Sequence, residues 1–219
     1  MQKFACARPW VCTLAVSMRI DERLADGLGT ALNEAALLGV EYDLARGLVG
    51  ITVSVLTLPE NDAPEPADCR RQLILTKVGR LAAALRNSRW DDVTASPVQL
   101  DAADLLSTVQ AFGGQPIYGW RFINHADPAW DVWKDRLSLD VQSSDGALTN
   151  RLMLFQEGDT IKRHLDIWIW FEDLLIRDAA GNTIEPDEFV AGGVRWWDAL
   201  HAGDARTQGR GIAPLRKDS

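Results

Sequence analysis

Residues 163–178 read RHLDIWIWFEDLLIRD. Alternate positions of a strand point to opposite sides, so this run sorts into two rows. One row is Leu165, Ile167, Ile169 and Phe171, the composition of a core face. The other is His164, Asp166, Trp168, Trp170 and Glu172, two indoles framed by an imidazole and two carboxylates. The pattern predicts one long strand with a core side and a chemically loaded side.

Working outward, the runs 136–142 and 148–156 alternate around the turn residues Ser143, Ser144, Asp145 and Gly146, a hairpin pattern. Residues 39–58 read as another hairpin, with a second arm rich in β-branched residues. The stretch PENDAPEPAD at 59–68 cannot continue a strand and reads as a surface loop. Further strands are expected at 10–20, at 115–124 and over the first half of 72–86, the second half of which fits strand or helix. The stretch DAADLLSTVQAF predicts a short helix capped by Asp101 and closed by Gly113 and Gly114. A closing helix is expected over 185–200, with acids in its first turn and Pro186 where proline is tolerated. Gly192 and Gly193 interrupt its pattern.

Short links between neighbouring strands favour antiparallel pairing, and helices set apart from the strands indicate an α+β fold. The expectation is a large, mainly antiparallel sheet of about seven or eight strands with the C-terminal helix packed on one face. Residues 1–204 would form a single domain, and 205–219 an extended tail.

The chain has 219 residues and a formal net charge of −8. That charge disfavours nucleic acid and anionic membrane surfaces, which call for a cationic face. Three cysteines at positions 6, 12 and 69, without zinc-like spacing, fit a reducing cytoplasm. The apolar N-terminal stretch is broken by Arg8 and Pro9, so neither a signal peptide nor a membrane span is expected. Phosphate-binding glycine loops, nucleophile elbows and zinc-protease helices are absent from the sequence. No cofactor is expected.

Three functional readings remain. Between positions 157 and 188 nine acids face only Lys162, Arg163 and Arg177, a surface suited to a basic protein partner. Asp166, Trp168, Trp170 and Glu172 would be its centre, combining indole faces with carboxylates for a cationic group. Immunity proteins and other inhibitors of basic toxins share that profile of charge and size, which would make this a non-catalytic binding protein. The second reading is a metal-dependent hydrolase. His125 with Asp127, and His164 with Asp166, repeat one His-x-Asp pattern, and two such pairs could together hold a divalent ion. The third is a small-ligand binder with Trp168 and Trp170 lining a pocket. Against the tryptophan face stands the ordinary outcome that the closing helix lays Trp196 or Trp197 over these rings, against the histidine pairs that they are structurally hydrogen-bonded, and against the acidic run that it is a solvated face. Trp130 and Trp133, three apart in HADPAWDVW, would then lid a pocket or seal a sheet edge.

Overall fold

The structure is a computed structural model and describes residues 20–114, 120–122, 128–143, 148–158 and 162–212. The strand expected over 10–20, Cys6, Cys12, His125, Asp127 and the end of the tail from 213 lie outside those residues, apart from Ile20.

The protein is α+β, and its strands pair antiparallel throughout. In chain order the elements are α1 (Glu22–Ala31), β1 (Ala36–Asp43), β2 (Leu48–Ser54), β3 (Arg70–Thr76) and β4 (Arg80–Arg86). Then come α2 (Leu105–Gln110), β5 (Trp120–Phe122), α3 (Pro128–Trp133), β6 (Leu139–Gln142) and β7 (Asn150–Glu157). The last are β8 (His164–Phe171), β9 (Asp173–Asp178), β10 (Thr183–Ile184) and α4 (Pro186–His201). The strands form two sheets, ordered β1-β2-β3-β9-β10 and β5-β7-β8-β4-β6.

The single long strand expected at 163–178 is therefore two. It passes from one sheet to the other at Glu172, between β8 and β9. Its partner does the same: β3 and β4 are separated only by Lys77, Val78 and Gly79. The pairing of β3 with β9 ends at Thr76 opposite Asp173, and that of β4 with β8 resumes at Arg80 opposite Trp170. One two-stranded ribbon thus bends from sheet to sheet, which is how strands make the corners of packed sheets. Lys77 adopts a left-handed conformation at the bend (φ 51°). Its ammonium lies 3.1 Å from Asp173, while the Gly79 amide donates to the Trp170 carbonyl and the Glu172 amide to that of Thr76. The bend also settles the undecided half of 72–86, which is strand β4.

The inner faces of both sheets close on one apolar core. Leu165, Ile167, Ile169 and Phe171 meet Leu81, Ala83 and Leu85 of β4, and Val49, Ile51, Val53, Leu73 and Leu75 of the other sheet. The loop 59–68 joins strands that pair directly, Ser54 opposite Arg70. Helix α4 lies against α1 and reaches β9, and its Phe189 enters the core. The glycines at 192 and 193 do not break it, because they are the contact: a Cβ on Gly193 would come within 2.6 Å of Ala31 Cα in α1. Asp101 makes no side-chain capping bond, and a 3-10 turn over Ala102–Asp104 leads into α2 instead. The start of the expected extended tail is coiled into a 3-10 turn (Ala205–Thr207), and Arg210 is tied to Glu65.

Candidate functional site

The outer row of β8 stands opposite the outer row of β4, with Trp170 facing Arg80, Trp168 facing Ala82, Asp166 facing Ala84 and His164 facing Arg86. The two alanines leave room for the indole of Trp168. They also leave room for Arg86 to turn back along the sheet, its Nη1 donating to Asp166 Oδ2 at 2.7 Å. His164 Nε2 lies 2.9 Å from the other carboxylate oxygen. A carboxylate only accepts, so the pair fixes the tautomer with the proton on Nε2. Arg86, His164 and Asp166 are all buried, and His164 stacks on Phe155 with centroids 5.4 Å apart.

Helix α3 covers this row. Trp130 meets Trp168 and Trp170 edge-on, at centroid distances of 5.5 and 4.8 Å. The Trp133 ring centroid lies 3.9 Å from the Arg86 guanidinium carbon and 4.5 Å from that of Arg136. Arg80 lies beside the Trp130–Trp170 pair, 4.8 and 5.1 Å from the two ring centroids, and holds Asp140 through two 2.8 Å bonds. Guanidinium over indole is favourable, more so where water is excluded.

Asp166, Trp168 and Trp170 alternate along β8, and Glu172 lies at the bend; Asp166 and Trp168 are covered, while Trp170 and Glu172 are half-buried. Trp168 is 0% exposed and Asp166 4%. The cover comes from α3 and not from α4, whose Trp196 packs with Leu56, Leu58 and Leu200 elsewhere. Glu172 receives the Thr149 amide and hydroxyl, each at 3.0 Å. Several acids of the stretch 157–188 are individually engaged. Asp173 pairs with Lys77, Asp187 with Arg23 and Glu188 with Arg195. Asp178 binds the amides of the turn that follows it. Of the two His-x-Asp pairs, the structure describes the one at 164–166, where both carboxylate oxygens are already engaged. Among the described residues no group of three or more His, Cys, Asp or Glu side chains could hold a metal ion.

The open surface lies next door. Four large hydrophobic side chains among the described residues are exposed, and three of them lie on two segments that Arg136 ties together: Trp90 at 58%, Val93 at 51% and Val132 at 40%. Trp90 and Val93 belong to a tight turn after β4, where the Asp92 carboxylate accepts the Thr94 amide and hydroxyl. Those bonds hold the Asp92 carboxyl below its usual range, with the Thr94 hydroxyl as the largest cause. Val132 is on α3. Arg136 joins the two: its Nη2 donates to the Val93 carbonyl at 2.8 Å and lies 3.4 Å from that of Val132. The same guanidinium covers Trp133, so the patch rests on the buried Arg86–Asp166 pair through one indole. Asp91, Asp131 and Asp135 stand exposed around it, with Arg89 near Asp91 and Lys134 near Asp131. From the sequence, the polar stretch 87–97 reads as a loop that contains Trp90. Val132 lies on a separate helix, and nothing in the spacing joins the two.

Compared with known protein families, with curated proteins and with solved structures, the chain matches none. Among the described residues no helix is long and apolar enough to cross a membrane.

Proposed function

We propose that this is a non-catalytic, acidic binding protein that captures a basic protein partner in a reducing, cytoplasmic setting, as an inhibitor or immunity-type protein does. The exposed Trp90–Val93–Val132 patch carries the reading. Single exposed apolar side chains are ordinary, but a tryptophan grouped with two valines on a braced scaffold has the composition of an interface anchor. Bracing by Arg136 and Thr94 lowers the ordering cost of association. The net charge of −8 and the carboxylates of the rim favour approach by a cationic surface. The docking centre is thus moved from the covered Trp168–Trp170 row to the surface beside it.

The test is parallel affinity capture from the source cell's lysate with the wild type and Trp90→Ala, followed by binding measurements on the purified partner. The expected partner carries more Lys and Arg than Asp and Glu. Its affinity falls about thirtyfold in Trp90→Ala, the loss of about 2 kcal/mol typical of an anchor, and falls again with added salt. Equal affinity for both proteins removes this surface from consideration, and an acidic partner removes the charge argument.

A further inference from the structure

A second feature lies on the other sheet, where β1, β2 and β3 end against the loop 59–68 and the C-terminal segment. An open cleft of about 440 Å³ is walled by Leu38 and Ala67 on its apolar side and by Ser54, Asp68, Cys69, Arg70 and Arg210 on its polar side. That volume is within the range of small-molecule sites. One guanidinium comes from β3 and the other from the C-terminal segment, and each is fixed along one edge. Arg70 holds the Asp68 carboxylate through Nε and Nη2, and Arg210 holds Glu65 through the same two atoms. The Nη1 group of each is bonded to no carboxylate among the described residues. Arg71 stands beside them, its Nη1 on the backbone carbonyls of Asp68 and Arg70.

The charge at the cleft is paired rather than net negative, in a chain that carries −8 overall: Arg70 holds Asp68 and Arg210 holds Glu65, while Arg71 stands opposite Asp178 in the strand pairing. Arg70 keeps Asp68 ionised by pulling its pKa down to about 2, so that carboxylate stays paired at neutral pH. Burial, reinforced by Glu65, pushes the Cys69 thiol up. The thiol is therefore neutral and donates to the Pro66 carbonyl at 3.2 Å, adding no negative charge to the cleft.

We propose that this cleft binds a short-chain monocarboxylate. The carboxylate is held by the Nη1 groups of Arg70 and Arg210 with the Ser54 hydroxyl, and the hydrocarbon chain lies along Leu38 and Ala67. A planar anion with an apolar tail uses both walls of the cleft, whereas inorganic phosphate uses only the polar one.

The probe is hexanoate, and the reporter is Cys69. In a Cys6→Ser, Cys12→Ser background, Cys69 is the only thiol. Its alkylation rate is measured with hexanoate, with phosphate and with chloride at matched ionic strength, alongside calorimetric titration with hexanoate. The expected result is saturable hexanoate binding that slows alkylation at least fivefold, while phosphate and chloride do not. Arg70→Gln weakens binding about tenfold, the loss of one charge-assisted hydrogen bond. Leu38→Ser weakens it with both arginines intact, so the outcome does not hang on a variant that disturbs an ion pair. Absence of saturation overturns the site. Equal protection by phosphate, or undiminished binding by Leu38→Ser, overturns the carboxylate assignment.

Discussion

Arg86 and Asp166 meet across neighbouring strands, Nη1 to Oδ2 at 2.7 Å, with side-chain exposures of 1% and 5%. A pair this dry gains its attraction only against a large desolvation cost, so its presence says little about net stability. Its loss says a great deal, because the remaining charge has no water to turn to. Asp166→Ala is expected to cost about 3–5 kcal/mol, read from urea denaturation. Asp166→Lys sets two buried cations together and abolishes folding. Replacing both partners, as Arg86→Met with Asp166→Leu, recovers most of the loss. A single alanine variant as stable as the wild type would show that the pair is hydrated in solution.

Tryptophans on the two sides of α3 are expected to separate stability from binding. Trp168 is fully enclosed, so Trp168→Ala leaves a cavity worth about 3–5 kcal/mol. Trp90 is 58% exposed, so Trp90→Ala stays within about 0.5 kcal/mol of the wild type while partner affinity drops. Denaturation midpoints and partner titrations on the same two preparations check both halves. A Trp90→Ala protein that is markedly destabilised would assign that indole to structure rather than to docking.

Arg136 supplies a sharper test of the bracing. Arg136→Ala removes the bond to the Val93 carbonyl and the guanidinium over Trp133, but it leaves Trp90, Val93 and Val132 in place. Partner affinity is expected to fall several-fold, with a rise in amide hydrogen exchange confined to residues around 90–95. If exchange there is unchanged, Arg136 does not hold the turn.

The same residues show what a sequence can and cannot reveal. The alternation of 163–178 is visible, and it assigns Leu165, Ile167, Ile169 and Phe171 to the core correctly, since that is a local period. The break at Glu172 is not visible, because a ribbon bends where its partner bends, and the partner lies about a hundred residues earlier. Asp166 and Trp168 were legible as sharing a face. What covers that face depends on the approach of α3, a tertiary fact. Arg86 could have been placed beside His164 from the alternation Arg80, Ala82, Ala84, Arg86, had the register of β4 against β8 been known. The acidic run 157–188 has partners that the sequence does not show, for a related reason. Counting charge along the chain ignores Lys77, Arg23, Arg195 and Thr149, which arrive from elsewhere and engage those acids singly.

Where α1 and α4 touch, helix propensity and packing give opposite answers. Alanine is better than glycine inside a helix by about 1 kcal/mol, so Gly193→Ala would stabilise an isolated α4. In the fold the new methyl meets Ala31 Cα at 2.6 Å and its Cβ at 2.7 Å, atoms fixed to the α1 backbone. Overpacking of this kind costs about 1–3 kcal/mol, so the variant is expected to be less stable overall. Thermal denaturation decides the sign, and a raised midpoint would mean that the helices can separate at little cost.

Acid sensitivity is expected to concentrate at turns held by carboxylates. Asp178 accepts the Ala180 amide at 2.9 Å, and the Asn182 amide and side chain at 2.8 and 2.9 Å. These bonds, the Asn182 side chain foremost, lower its pKa from the ordinary value. Because the folded state holds its proton less tightly than the unfolded chain, the stabilisation is fully present above the unfolded pKa. It is lost as pH falls through the depressed folded value. Urea midpoints of the wild type should therefore drop as pH falls below the ordinary carboxylate range. In Asp178→Ala the midpoint should start lower at neutral pH and decline less over the same interval. A parallel decline in both proteins would place the acid-labile contacts elsewhere, with Asp92 and its Thr94 bonds the next to replace.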